Sequence, residues 1–148
     1  MEKEAVVVKQ GEAEALSVMG VEVRFLCDPT RTDKAWSLME AVVPKDAGPP
    51  PHEHAWDEAY YVIDGEVRFT IGERSVTAKP GDFIYAPGGT LHGFQGASKR
   101  PARILVFDSP AHTDAFFREV AREVKELPRE LAKVPAIAER HNIHFAHS

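Results

Sequence analysis

A chain of 148 residues with 43% hydrophobic and 28% charged residues has the size and balance of one globular domain that buries a core without cross-links. Its formal charge of −5 is spread in mixed-sign segments, and no apolar run approaches the ~20 residues of a membrane span, so neither nucleic acid nor membrane is expected as a partner. The single cysteine, Cys27, excludes an internal disulfide and a thiolate metal cluster, and the acidic stretch MEKEAVVVKQGEAEAL lacks the pattern of a secretory signal, so the expected location is cytoplasmic.

Short β-type segments separated by Gly, Pro and Asp dominate the chain to about residue 108. Strands are expected over 5–9, 21–27, 35–43, 51–54, 58–63, 66–71, 75–78, 82–86, 91–95 and 102–108. In the second of these, Val21, Val23 and Phe25 alternate with Glu22 and Arg24, as in a strand with one buried face. Asp64 and Gly65 lie between the runs EAYYVI and EVRFTI, and such a pair turns a hairpin because both residues tolerate positive φ. A second hairpin is expected at Gly72 and Glu73, with the following strand ending at Lys79, Pro80 and Gly81. So many short strands in a chain of this size imply an all-β sandwich or barrel.

After Asp108 the pattern changes. Ser109 and Pro110 suit the N-cap and first position of a helix over 111–127, and Phe116, Val120 and Val124, with Phe117, Ala121 and Leu127, form one apolar stripe expected to pack on its own domain. Two shorter helical pieces, over 129–134 and 136–140, are bounded by Pro128 and Pro135. The whole chain, 1–148, reads as a single domain.

The residues with most chemistry lie in PPPHEHAWDEAYYVIDG. On an extended strand His52 and His54 turn their imidazoles to one face, roughly 7 Å apart, so both can converge on one ion. Glu58 has the same parity, with a possible bend in the intervening AWD, and adds an anionic oxygen. His92 follows from GDFIYAPGGTLHGF, after a Pro-Gly-Gly turn. A lone pair of histidines near an acid is weak evidence; order and spacing make it stronger. His52, His54, Glu58 and Gly65 are separated by one, three and six residues, and Gly81, Pro87, Gly89 and His92 by five, one and two.

These two spacings resemble the two motifs of the cupin superfamily, and the chain is similar over about residues 20–145 to small single-domain cupins related to quercetin 2,3-dioxygenase. Further likeness lies in GVEVRFL, SLMEAVVP, the prolines before His52, EAYYVIDGEVRF and the tail ending in HNIHF. The resemblance implies a double-stranded β-helical (jelly-roll) barrel over about 20–108, C-terminal helices over about 110–142, and one divalent metal ion held by His52, His54, Glu58 and His92. It also implies a homodimer, formed through barrel strands or the N-terminal segment. The chain departs from the motifs in two places: only three residues separate Gly48 from His52, and Gln95 and Gly96 stand where the second motif usually ends in Asn.

Three neutral imidazoles and one carboxylate leave a divalent ion with a charge of about +1 and open positions for a ligand, and such donors suit Fe, Mn, Ni, Co, Cu or Zn. A metal-dependent dioxygenase acting on a small aromatic or enolisable compound is the favoured reading, with Glu58 also serving as the base that takes the substrate's proton. A non-oxidative isomerase, decarboxylase or lyase, and a non-catalytic small-molecule-binding module, remain open. Strand parity puts Tyr60 and Val62 on the face of Glu58, Phe69 on the paired strand's inner face, and Thr90 and Phe94 beside His92, giving an apolar pocket, while Arg68 points outward. Trp56 either gates the mouth or caps the core. His112, His141, His144 and His147 are read as surface residues without acidic partners.

Overall fold

In a computed structural model, which describes residues 3–146, period-2 alternation becomes strands wherever a neighbouring strand can take up the backbone hydrogen bonds. The strands are β1 (Ala15–Val18), β2 (Val21–Cys27), β3 (Ser37–Val43), β4 (His52–Glu53), β5 (Asp57–Asp64), β6 (Val67–Ile71), β7 (Arg74–Ala78), β8 (Phe83–Ala86), β9 (His92–Gly96), β10 (Ala102–Ser109) and β11 (His144–Phe145). Two helices, α1 (Thr113–Glu123) and α2 (Val134–Arg140), lie between β10 and β11.

The strands form two antiparallel sheets, ordered β1-β2-β3-β10-β5-β8 and β11-β4-β9-β6-β7. From β3 to β11 the chain crosses between the sheets at every step except the β6–β7 hairpin, as in a jelly roll. Their inner faces bury Met39, Val43, Val62, Val67, Phe69 and Ile104 almost completely. At about 1.5–3 kcal/mol for each large apolar side chain, this burial is what holds the two sheets face to face. Asp64 and Gly65 do turn the chain, with Gly65 at φ +75° and room for no Cβ, which would come 2.8 Å from Ala102 Cα, but the expected hairpin does not form: β5 pairs with β10 and β8 in one sheet and β6 with β9 and β7 in the other, so the turn passes the chain between the sheets. The hairpin at Gly72 pairs Ile71 with Arg74.

Several boundaries differ from the sequence reading. Residues 5–9 form no strand, because this exposed stretch has no pairing partner; the first strand is β1, which pairs with β2. The last described strand, β11, pairs with β4 and was not anticipated in the HNIHF tail. Ser109 and Pro110 do not start the helix: Ser109 stays in the β10 ladder opposite Asp57, its hydroxyl donates to the Ala35 carbonyl, and α1 begins at Thr113. The piece expected over 129–134 is a 3-10 turn, Arg129–Lys133. The stripe does pack inward through Phe116 and Val120 of α1 and Val124 at its C-cap, but the helix ends at Glu123 rather than 127 and Leu127 is exposed.

Candidate metal centre

The centre draws its residues from both sheets. β4 meets β9 at the single register pair His52↔His92, so these imidazoles face each other across the ladder with ring centroids 4.4 Å apart. This approach depends on Gly93, where a Cβ would sit 2.8 Å from Pro51 N and 2.9 Å from the Pro49 carbonyl oxygen. Ala55 and Trp56 carry the chain across to the other sheet. Glu58 therefore comes from β5, opposite Ala86 and Asp108, rather than from the strand of the two histidines. His52, His54, Glu58 and His92 are all buried.

Each imidazole is tethered at Nδ1 to a backbone carbonyl: His52 to Pro50 at 2.9 Å, His54 to Trp56 at 3.0 Å and His92 to Thr90 at 2.8 Å. A carbonyl only accepts, so each Nδ1 carries the hydrogen and a neutral ring has a bare Nε2. One nitrogen from each of the three rings lies within 4.8 Å of the others, making a group able to hold a metal ion. His54 Nε2 stands 2.9 Å from Glu58 Oε1, where a neutral ring would oppose one lone pair to another. His92 Nε2 is buried with no hydrogen-bond partner, its distance to Glu58 Oε2 being 3.6 Å. Both features are resolved by a cation among these atoms, and three imidazoles with a carboxylate suit a divalent transition metal.

Burial and the charge of His92 lower the His52 pKa from 6.5 to about 4, so this ring is neutral near pH 7. Burial alone would raise the Glu58 carboxyl, but His54 and His92 beside it prevail and hold it well below the ordinary carboxylate range. Burial likewise pulls His92 down, and attraction to Glu58 overcomes it and raises the ring. Glu58 is held from two further sides. The Tyr60 hydroxyl donates to Oε2, and Thr113 Oγ1 lies 3.4 Å from Oε1. Thr113 in turn accepts from Trp56 Nε1 at 3.0 Å, which leaves its own hydrogen free to point at Glu58. Its backbone N–H donates to the buried Asp108, which also accepts from Ser37 Oγ. Helix α1 is thereby joined to the centre.

A cavity of about 40 Å³ opens beside these groups. Tyr60 and Phe94 line it with His52, His54 and Glu58, and its remaining wall is almost wholly apolar, including Val23, Met39, Phe116 and Phe145. Val62 and Phe69 share the inward face but lie in the core; Phe69 packs on Tyr60 and Phe94 at 5.0 and 5.8 Å. Arg68 is exposed on the outside. Trp56 caps the core: it is buried, stacks on His54 at 4.0 Å and meets His112 edge-on. His141 and His144 do have acidic partners, Glu119 at 2.7 Å and Glu139 at 3.1 Å, and neither approaches the centre; His147 lies outside the described residues. Sequence reasoning missed Thr113, Ile143 and Phe145, which all line the cavity. The first was hidden by the expected helix start, and the others by reading the tail as surface.

Residues 39–108 match the family described as Cupin domain. An uncharacterized protein of Streptomyces coelicolor is 29% identical over 101 residues, 67% of this chain and 90% of that protein. Among solved structures, an RmlC-like cupin from Shewanella frigidimarina aligns with a TM-score of 0.66 at 18% identity, covering 78% of this chain and 99% of that one. The polyketide cyclase RemF from Streptomyces resistomycificus aligns with a TM-score of 0.64 at 24% identity, covering 72% and 80%. At these identities the structural likeness shows the fold. The fold is the cupin jelly roll with a C-terminal helical segment, and the domain match with these neighbours supports the cupin superfamily for this chain. No helix among the described residues is long and apolar enough to cross a membrane.

Proposed function

We propose that this chain is a metal-dependent enzyme of the dioxygenase type, akin to quercetin 2,3-dioxygenases, which holds one divalent ion on His52, His54, Glu58 and His92 and acts on a small aromatic or enolisable compound. The observation that carries this reading is the gathering of three imidazoles, each tethered at Nδ1, and one carboxylate, with His52, His54 and Glu58 lining one side of an otherwise apolar cavity. When bound, a divalent transition ion supplies Lewis acidity and, if redox-active, electrons for dioxygen chemistry. Glu58 is the group suited to take the substrate's hydroxyl proton, because its surroundings keep it ionised and two donors fix its orientation. Tyr60 is not a competing acid, since burial and the Glu58 charge raise its hydroxyl well above the ordinary range. The wall contributes no Lys or Arg, which disfavours phosphorylated or multiply anionic substrates, and its apolar side chains keep water from the reacting groups.

Elemental analysis of the native protein, followed by oxygen uptake against a panel of flavonols and diketones, tests the proposal. One equivalent of a transition metal and substrate-dependent oxygen consumption are expected. Turnover of the panel without oxygen uptake would instead select a lyase or isomerase. Failure of both native and reconstituted protein to hold metal would remove the basis of the reading altogether.

A further inference from the structure

We infer that, on the proposed reading of the substrate as a small aromatic compound, the strap His144–Ala146 is the gate of the metal centre, and that the Phe145 ring holds the place a substrate ring takes when the gate opens. As it stands the centre is shut. His52, His54, Glu58 and His92 are each 8% exposed or less, and the cavity beside them measures about 40 Å³. That is room for a few water molecules, whereas a dry cavity of about 150 Å³ is what admits a benzene ring. Part of the wall must therefore withdraw before a ring can reach the imidazoles.

The attachments of the wall single out which part. β3, β5 and β10 are flanked by strands on both sides, and β10 pairs with β3 all the way from Ala102 to Asp108. α1 is pinned by the buried Phe116 and by Thr113, which is bonded to Trp56 and Asp108. β1 lies against β2 through all four of its residues. β11, by contrast, meets β4 only at His144↔Glu53 and Phe145↔His52, and Ala146 adds one bond, its N–H donating to the Pro51 carbonyl at 2.9 Å. The His144–Glu139 pair at 3.1 Å joins two exposed side chains, and such pairs contribute little. The root of the strap is firm: Asn142, at φ +59°, turns the chain out of α2, and the buried Ile143 donates its N–H to Ala138 at 3.0 Å. A weakly held piece on a fixed root is the construction of a gate. Phe145 is the part that closes the cavity. Its half-buried ring lies against His52, with centroids 5.4 Å apart, and lines the cavity with Phe94 and Phe116. Swinging it outward uncovers the flank of His52 and clears a ring-sized place that already has aromatic neighbours.

Phenol, a ring with one hydroxyl, is the probe, titrated by NMR into the purified full chain. A ring that must displace Phe145 binds with an affinity reduced by the small fraction of chains that are open, so Phe145→Ala, which vacates the place, should bind phenol at least tenfold more tightly. Glu53 and His144 face each other across the β11–β4 ladder, and the pair Glu53→Cys with His144→Cys lets a disulfide lock the strap; the oxidised form should bind phenol at least tenfold more weakly than the same protein reduced. In the unaltered chain, phenol should speed hydrogen exchange of the Ala146 amide, which parts from Pro51 as the strap swings out. A Phe145→Ala chain that binds no more tightly, a locked form that binds as well as the reduced one, or Ala146 exchange unmoved by phenol would each overturn the inference. None of these readouts needs turnover. A chain that passes all three yet consumes no oxygen keeps its gate and loses the oxygenase reading, whereas one that oxidises flavonols while locked loses the gate and keeps that reading.

Discussion

Protonation of His52 offers a quantitative probe of the centre before any substrate is known. The ring is buried, and burial with the neighbouring His92 takes its pKa from 6.5 to about 4. In metal-free protein the unfolded chain binds this proton near pH 6.5, while the folded chain refuses it until about pH 4. Between those values the unfolded state carries more protons, so stability rises with pH. The contribution is whole above pH 6.5 and falls as acid is added, by about 1.36 kcal/mol for each pH unit, or about 3 kcal/mol across the window. Urea unfolding of chelator-stripped protein at steps from pH 7 to pH 4, beside His52→Gln, reads the effect as the difference between the two, in which Asp108, absent from the groups that act on His52, cancels. A difference that stays flat across the window would refute the claim that desolvation governs this ring. His92 runs the other way: its raised pKa gives a contribution that is whole below pH 6.5 and lost as pH rises through the folded value.

Two substitutions test the supports of the centre. Thr113→Val keeps the side chain's shape but leaves the buried Trp56 indole N–H without an acceptor, at a cost of about 1–3 kcal/mol; thermal unfolding should show a fall of several degrees that Thr113→Ser largely restores. Gly93→Ala would place a Cβ 2.8 Å from Pro51 N and push β4 off β9, so metal affinity measured by chelator competition should fall at least tenfold, and unchanged affinity would show that this close approach does not set the histidine geometry.

Much of the barrel could be read from the chain because its determinants are local. Alternation in VEVRFLC specifies a strand and the Gly72 turn a hairpin within a few residues of themselves, and His52, His54 and His92 lie together with Glu58 beside His54 and His92. What sequence reasoning missed depends on distant partners. The triple valine near residue 7 has strong strand propensity and nothing to pair with, whereas the less promising ALSV becomes β1 because β2 lies beside it. Ser109 has the right chemistry for a helix cap but is claimed by the β10 ladder. Phe145 reaches the His52 ring, with centroids 5.4 Å apart, only because β11 returns to β4. Parity separates inward from outward side chains, yet depth along the barrel decides that Tyr60 borders the cavity while Val62 does not.

The carbonyls that orient His52, His54 and His92 belong to residues two positions away along the chain. They are backbone atoms, so no replacement of a side chain can delete them; only a shift of the main chain can. The orientation of the three rings is thus sheltered from most point mutations, whereas every group that shapes the cavity wall, from Val23 to Phe116, is a side chain open to exchange. A scaffold divided in this way can reshape its cavity without first surrendering the aim of its three histidines.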